Sequence, residues 1–151
     1  MFVQQLPTSG FVRDGVHHLP VRVYYEDTDF SGVVYHASYL RFLERGRSDA
    51  LRCAGVDHTS LSLRDEPLAL AVRRITIEFL KPARIDDALA VRTSYEEIAG
   101  ARIFAQQQIF RGEEQLVQAE VEAVCIGRNG RPRRLPAELV AALKHHLAAS
   151  D

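Results

Sequence analysis

Residues 23–40 read VYYEDTDFSGVVYHASYL, and from Tyr25 to His36 this stretch carries two tyrosines, three acids and a histidine. An ionised carboxylate can attack an acyl carbon or activate a water. A helix start supplies free N–H groups and a partial positive charge that hold the oxyanion formed in such a reaction. Strand alternation through Val21, Val23, Tyr25, Asp27 and Asp29 sends both aspartates toward the side that the valines bury. A carboxylate there needs hydrogen-bond donors. Two readings follow: the aspartates cap a helix entry, or they belong to an acyl-transfer site. Gly32 allows close backbone approach to a ligand, and His36 falls in the first helical turn.

These residues need a strand before them and a helix after them. Beyond Gly32, the residues Tyr39, Phe42, Leu43, Gly46, Ala50 and Cys53 recur at helical spacing, and Gly55 ends the pattern. Arg41, Glu44, Arg45, Ser48, Asp49 and Arg52 form the polar face. Arg45 and Asp49 are spaced to pair, a surface contact worth about 0.3–0.5 kcal/mol. Gly46 costs a helix roughly 1 kcal/mol relative to alanine, so close approach to another backbone is expected there. Four strands follow over residues 68–80, 89–98, 102–110 and 115–126, and a short helix is expected from Pro136 to about His146. Residues 1–18, broken by Pro7, Gly10 and Gly15, read as a flexible arm. The remainder, 19–147, reads as one α+β domain: a five-stranded antiparallel sheet wrapped around one long helix.

The bulk properties allow this and narrow the function. A chain of 151 residues with 46% hydrophobic residues and a formal charge of −1 suits one core. No overall field draws it to nucleic acid. The longest apolar run, Leu68 to Val72, is too short for a membrane span, and the start lacks the pattern of a secretory signal. Cys53 and Cys125 have no metal or redox spacing, so free thiols in a reducing cytoplasm are expected. His17-His18 and His145-His146 lack a third ligand at metal spacing, so no metal is expected.

Tyr25-Glu26-Asp27-Thr28-Asp29, Gly32-Val33-Val34-Tyr35-His36-Ala37-Ser38-Tyr39-Leu40, and then Phe42, Glu44 and Arg45 together resemble the YbgC-like acyl-CoA thioesterases. These belong to the 4-hydroxybenzoyl-CoA thioesterase family and have the hotdog fold. The similarity continues through Val72-Arg73-Arg74 and Pro82-Ala83-Arg84-Ile85-Asp86-Asp87. The resemblance implies hydrolysis of an acyl-CoA thioester, with Asp29 as nucleophile or general base. It implies a thioester carbonyl polarised by the backbone N–H of residue 36. Tyr25 and the His36 side chain match active-site positions, whereas Asp27 is expected to serve the loop. Phe30-Ser31 departs from the smaller pair, often Ala-Gly, that commonly follows the aspartate.

Gly32, Val33 and Phe30 are expected against the substrate, with Arg73 and Arg84 as candidates for the coenzyme A phosphates. Arg128, Arg131, Arg133 and Arg134 are further basic candidates. Glu44 is a rival carboxylate, because other hotdog thioesterases use an acid on the central helix; its arginine neighbours favour a solvated ion network. No cofactor is expected beyond the coenzyme A of the substrate. The family implies a cytoplasmic homodimer or homotetramer and an association with the Tol-Pal envelope system, and acyl carrier protein is an alternative acyl donor. A hotdog dehydratase or hydratase and a non-catalytic acyl-thioester binding module are the competing classes.

Overall fold

The computed structural model describes residues 3–7 and 9–147. Alternating burial along the strands makes one face of the sheet apolar. In Arg102–Arg111 it turns Ile103, Ala105, Gln107 and Ile109 inward. The strands are β1 (Phe11–Arg13), β2 (Val16–Arg22), β3 (Ala69–Phe79), β4 (Ala88–Ala99), β5 (Arg102–Arg111) and β6 (Glu114–Ile126). They form one antiparallel sheet in the order β1-β2-β4-β5-β6-β3. Helices are α1 (His36–Cys53), α2 (His58–Ser62) and α3 (Ala137–Leu147).

The apolar stripe of α1 fills the hollow of the sheet. Tyr39, Phe42 and Leu43 pack with Val23, Val91, Ile109, Leu116 and Val117. Full burial of a side chain such as Phe42 or Leu43 stabilises by roughly 1.5–3 kcal/mol each. Farther along, Ala50 and Leu51 join Leu61, Leu68, Ile103 and Cys125 under α3. Gly46 lies at the crossing of helix and sheet: a Cβ there would stand 2.6 Å from Val91 Cγ1 and 3.1 Å from Thr93 Oγ1. The close approach expected at this glycine is present, although to side chains rather than to backbone.

The sheet has six strands rather than five, because part of the expected arm is ordered. Asp14 and Gly15 take positive φ values of 52° and 75°, the geometry of a two-residue hairpin turn, and pair Phe11–Arg13 with Val16–Arg22. Residues 1, 2 and 8 of that arm lie outside the described residues. The strand expected to reach Asp29 ends at Arg22, and Tyr25–Asp27 forms a 3-10 turn. Local polar bonds compete with the ladder here. The Tyr24 amide donates to Asp27 Oδ2 at 2.8 Å, and the Thr28 hydroxyl donates to the Tyr25 carbonyl at 2.7 Å.

Candidate active site

The segment 28–34 is a loop standing on a narrow neck. At its base the Tyr35 amide donates to the Asp27 carbonyl at 2.9 Å, and Thr28 bridges Val34. At its tip the Asp29 amide donates to the Val33 carbonyl at 2.9 Å and the Gly32 amide to the Asp29 carbonyl at 3.1 Å. Gly32 has φ +87°, and a Cβ there would touch nothing within 4 Å. Its value within this chain is therefore the left-handed turn that closes the loop, not close packing.

The loop is fixed to the sheet from one side. Val34 N–H donates to the Ala83 carbonyl at 2.8 Å, Val33 bridges Arg84, and the Ala83 amide donates to the buried Tyr39 hydroxyl at 2.9 Å. Tyr39 belongs to α1, so the loop, the Pro82–Arg84 segment and the helix start share one support.

Asp29 is exposed in the single chain, which corrects the expectation that it faces the buried side. The strand has already ended, so alternation no longer governs its direction. Its Oδ1 accepts the Ser31 amide at 2.7 Å and the Ser31 hydroxyl at 2.6 Å, an Asx turn. These two bonds hold the Asp29 carboxyl below its ordinary value of 3.8. Asp27 is the buried aspartate, occupied by the Tyr24 amide as a loop-forming group.

The helix beside this loop starts at His36 without a side-chain cap. The Ser38 amide donates to the Tyr35 carbonyl at 2.8 Å, while the His36 and Ala37 amides have no acceptor among the described residues. These are the free donors that a helix start presents to developing negative charge. The His36 ring lies against Tyr35, with centroids 4.5 Å apart, and edge-on to Phe79 at 6.4 Å. A cleft of about 260 Å³ opens here, bounded by Val34, His36, Tyr39, Phe79 and Leu80. Tyr25 is 83% exposed in the turn before the loop, and Phe30 is fully exposed on the loop.

The sequence candidates thus separate. Asp29, Phe30, Gly32 and Val33 lie on the loop, Arg84 bridges it at Val33, Tyr25 precedes it in the 3-10 turn, and His36 follows it at the helix start. Arg73 stands apart: it lies six residues along β3 from Phe79, about 20 Å, and donates to buried Glu122 at 3.0 Å. Arg102 approaches the same carboxylate at 3.4 Å, so Arg73 neutralises a buried acid. Arg133 is likewise engaged, by Glu66. Glu44 makes no ion pair among the described residues, so the network expected around it is absent there.

Sequence reasoning missed two groups. Ser31 was signalled by its position two residues after an aspartate, the spacing of an Asx turn. The other is a cluster of His17, Asp49 and Cys53, whose ligand-type atoms lie within 4.8 Å of one another. Asp49 is buried instead of pairing with Arg45 on the polar face. Its Oδ2 meets His17 Nε2 at 2.7 Å and accepts the Gly10 amide at 2.8 Å. The Gly10 N–H and the direct His17 contact occupy that oxygen, which makes the cluster a clasp between the N-terminal segment and α1.

The model of the thioesterase-like superfamily matches residues 23–143 of this chain. The acyl-CoA thioester hydrolase YbgC of Escherichia coli O6:H1 is 43% identical over 127 residues, covering 83% of this chain and 93% of that protein. The acyl-CoA thioesterase YbgC of Haemophilus influenzae is 41% identical over 135 residues, covering 89% and 98%. A crystal structure of a probable thioesterase from Bartonella henselae superposes with a TM-score of 0.78 at 49% identity, covering 80% of this chain and 99% of that one. The fold is the hotdog that the resemblance implied, and the chain belongs to the thioesterase-like superfamily, within its YbgC acyl-CoA thioesterases.

Proposed function

We propose that this enzyme hydrolyses acyl-CoA thioesters to a free carboxylic acid and coenzyme A, using the Asp29 carboxylate and the backbone amide of His36. The observation that carries the reading is a charge-stabilised Asp29 on the loop that leads directly into a helix start whose first amides are uncapped. The thioester carbonyl oxygen is held by the His36 amide. Asp29 then attacks the carbonyl carbon to form a mixed anhydride, which water hydrolyses, or takes the proton from a water that attacks directly. In either route the C–S bond breaks and the coenzyme A thiolate leaves. Tyr25, Phe30, Gly32, Val33 and the His36 ring surround the acyl end, and Arg84 is positioned beside the loop for a phosphate.

The reading includes a homodimer or homotetramer in the cytoplasm. Its physical support is the long outer edge of β3, an eleven-residue strand at the end of the sheet, and the exposed aromatics at the loop. A second copy covering this corner would bring Asp29 out of bulk water. No helix among the described residues is long and apolar enough to cross a membrane.

The test is a panel of acyl-CoA and acyl-carrier-protein thioesters with detection of released thiol. Thiol release with stoichiometric free acid supports hydrolysis. Binding without thiol release would support the dehydratase or the binding module instead.

A further inference from the structure

Ala83 is fully buried and uses both of its backbone polar groups. Its carbonyl accepts the Val34 amide of the loop at 2.8 Å, and its amide donates to the Tyr39 hydroxyl at 2.9 Å. One residue thus joins the loop that carries Asp29 to the helix that begins at His36. Tyr39 lies one turn into that helix, about 4.5 Å along the axis from His36.

Both sides of this joint are held firmly. Tyr39 is buried, its ring edge-on to Phe42 with centroids 6.2 Å apart and tilted on Phe79 at 5.5 Å, so its hydroxyl is a fixed point. Opposite it, residues 82–87 are braced from the sheet. Asp87 Oδ2 accepts the Arg84 amide at 2.8 Å and Arg111 Nη1 at 2.7 Å. The Asp86 amide donates to the Val23 carbonyl, and the Val23 amide to the Asp87 carbonyl, each at 2.9 Å. The loop rides on this braced segment through Val33 and Val34. His36 instead moves with α1, whose apolar contacts with the sheet are non-directional. The Tyr39–Ala83 hydrogen bond is directional, and it sets the one body against the other.

We infer that Tyr39 is a positioning residue for thioester hydrolysis: by taking the Ala83 amide, it sets where the loop carries Asp29 relative to the helix start at His36. The inference rests on the roles proposed above for Asp29 and the His36 amide. The Tyr39 hydroxyl acts through Ala83 and Val34, not on the reacting atoms. A misplacement of about 1 Å in such a site costs roughly a hundredfold in rate. Loss of the tie therefore lowers kcat, while the charge on Asp29, stabilised by Ser31 within the loop, is unaffected.

Tyr39→Phe keeps the ring and removes the hydroxyl. In the full chain, on the most rapidly cleaved thioester of the panel, it should lower kcat by about ten- to a hundredfold. KM and the acid limb of the kcat/KM profile should stay at their wild-type values. Val56→Ala, a truncation in the other buried cluster, should lower the unfolding midpoint and leave kcat unchanged. A wild-type kcat in Tyr39→Phe, a shifted acid limb in that variant, or an equal kcat loss in Val56→Ala would each overturn the inference and leave the roles of Asp29 and His36 standing. A wild type that releases thiol from no thioester overturns those roles and the inference together. Should Tyr39→Phe fail to fold, hydrogen exchange in the wild type decides the matter. Ala83 and Val34 amides protected like those of Phe42 and Leu43 support the tie; exchange as fast as at exposed Phe30 refutes it.

Discussion

Ser31 donates both its backbone amide and its hydroxyl to the same oxygen of Asp29, at 2.7 and 2.6 Å. The pair stabilises the charged carboxylate, so Asp29 stays ionised to lower pH than an ordinary aspartate. Ser31→Ala deletes the hydroxyl and leaves the amide. The Asp29 pKa then rises toward 3.8, and the acid limb of the kcat/KM profile moves to higher pH with the plateau little changed. An acid limb that stays in place would separate Asp29 ionisation from turnover.

The uncapped amide at residue 36 can be removed without removing the helix. His36 occupies the first helical position, where proline is tolerated, and Tyr35 already has φ −66° and ψ 136°, the conformation proline imposes on its predecessor. His36→Pro should lower kcat by about 10²–10³, the effect of losing one oxyanion donor. His36→Ala, which keeps the amide, should lose much less. Equal losses in the two variants would assign the effect to the ring.

Gly46 marks how tightly α1 meets the sheet. Gly46→Ala gains about 1 kcal/mol of helix propensity but sets a methyl 2.6 Å from Val91 Cγ1. Overpacking of this kind costs about 1–3 kcal/mol. Net destabilisation is expected from urea unfolding, and a more stable variant would show that Val91 yields freely.

Asp49 fastens the N-terminal segment. Asp49→Ala leaves buried His17 and the Gly10 amide without their acceptor, at a cost of about 1–3 kcal/mol for each group left unsatisfied. Hydrogen exchange should accelerate first at Gly10 and in β1. Unchanged exchange there would mean that the clasp does not hold the segment.

Much of this architecture is legible in local pattern. The stripe from Tyr39 to Cys53 places α1 to within a few residues, and the turns before Leu89, Arg102 and Gln115 delimit β4, β5 and β6. Signals that depend on distant partners are harder to read. Asp49 sits at a position that looks solvent-facing until His17, 32 residues earlier, is folded against it. Arg73 resembles a phosphate ligand until Glu122 arrives from a neighbouring strand. The Asp14-Gly15 turn was a visible hairpin signal, obscured by a first strand only three residues long. At the site, the motif runs from Asp29 on the loop to His36 at the helix start. Alternation misjudged the direction of Asp29, because side-chain bonds from Asp27 and Thr28 end the strand early.

The central claim concerns the charge on Asp29, and Asp29→Asn tests it most directly because the amide keeps the shape of the side chain. Thioester turnover by folded Asp29→Asn, measured as released thiol beside the wild type, should fall by about 10²–10⁴. Turnover close to the wild-type rate, with secondary structure and unfolding midpoint preserved, would contradict the claim.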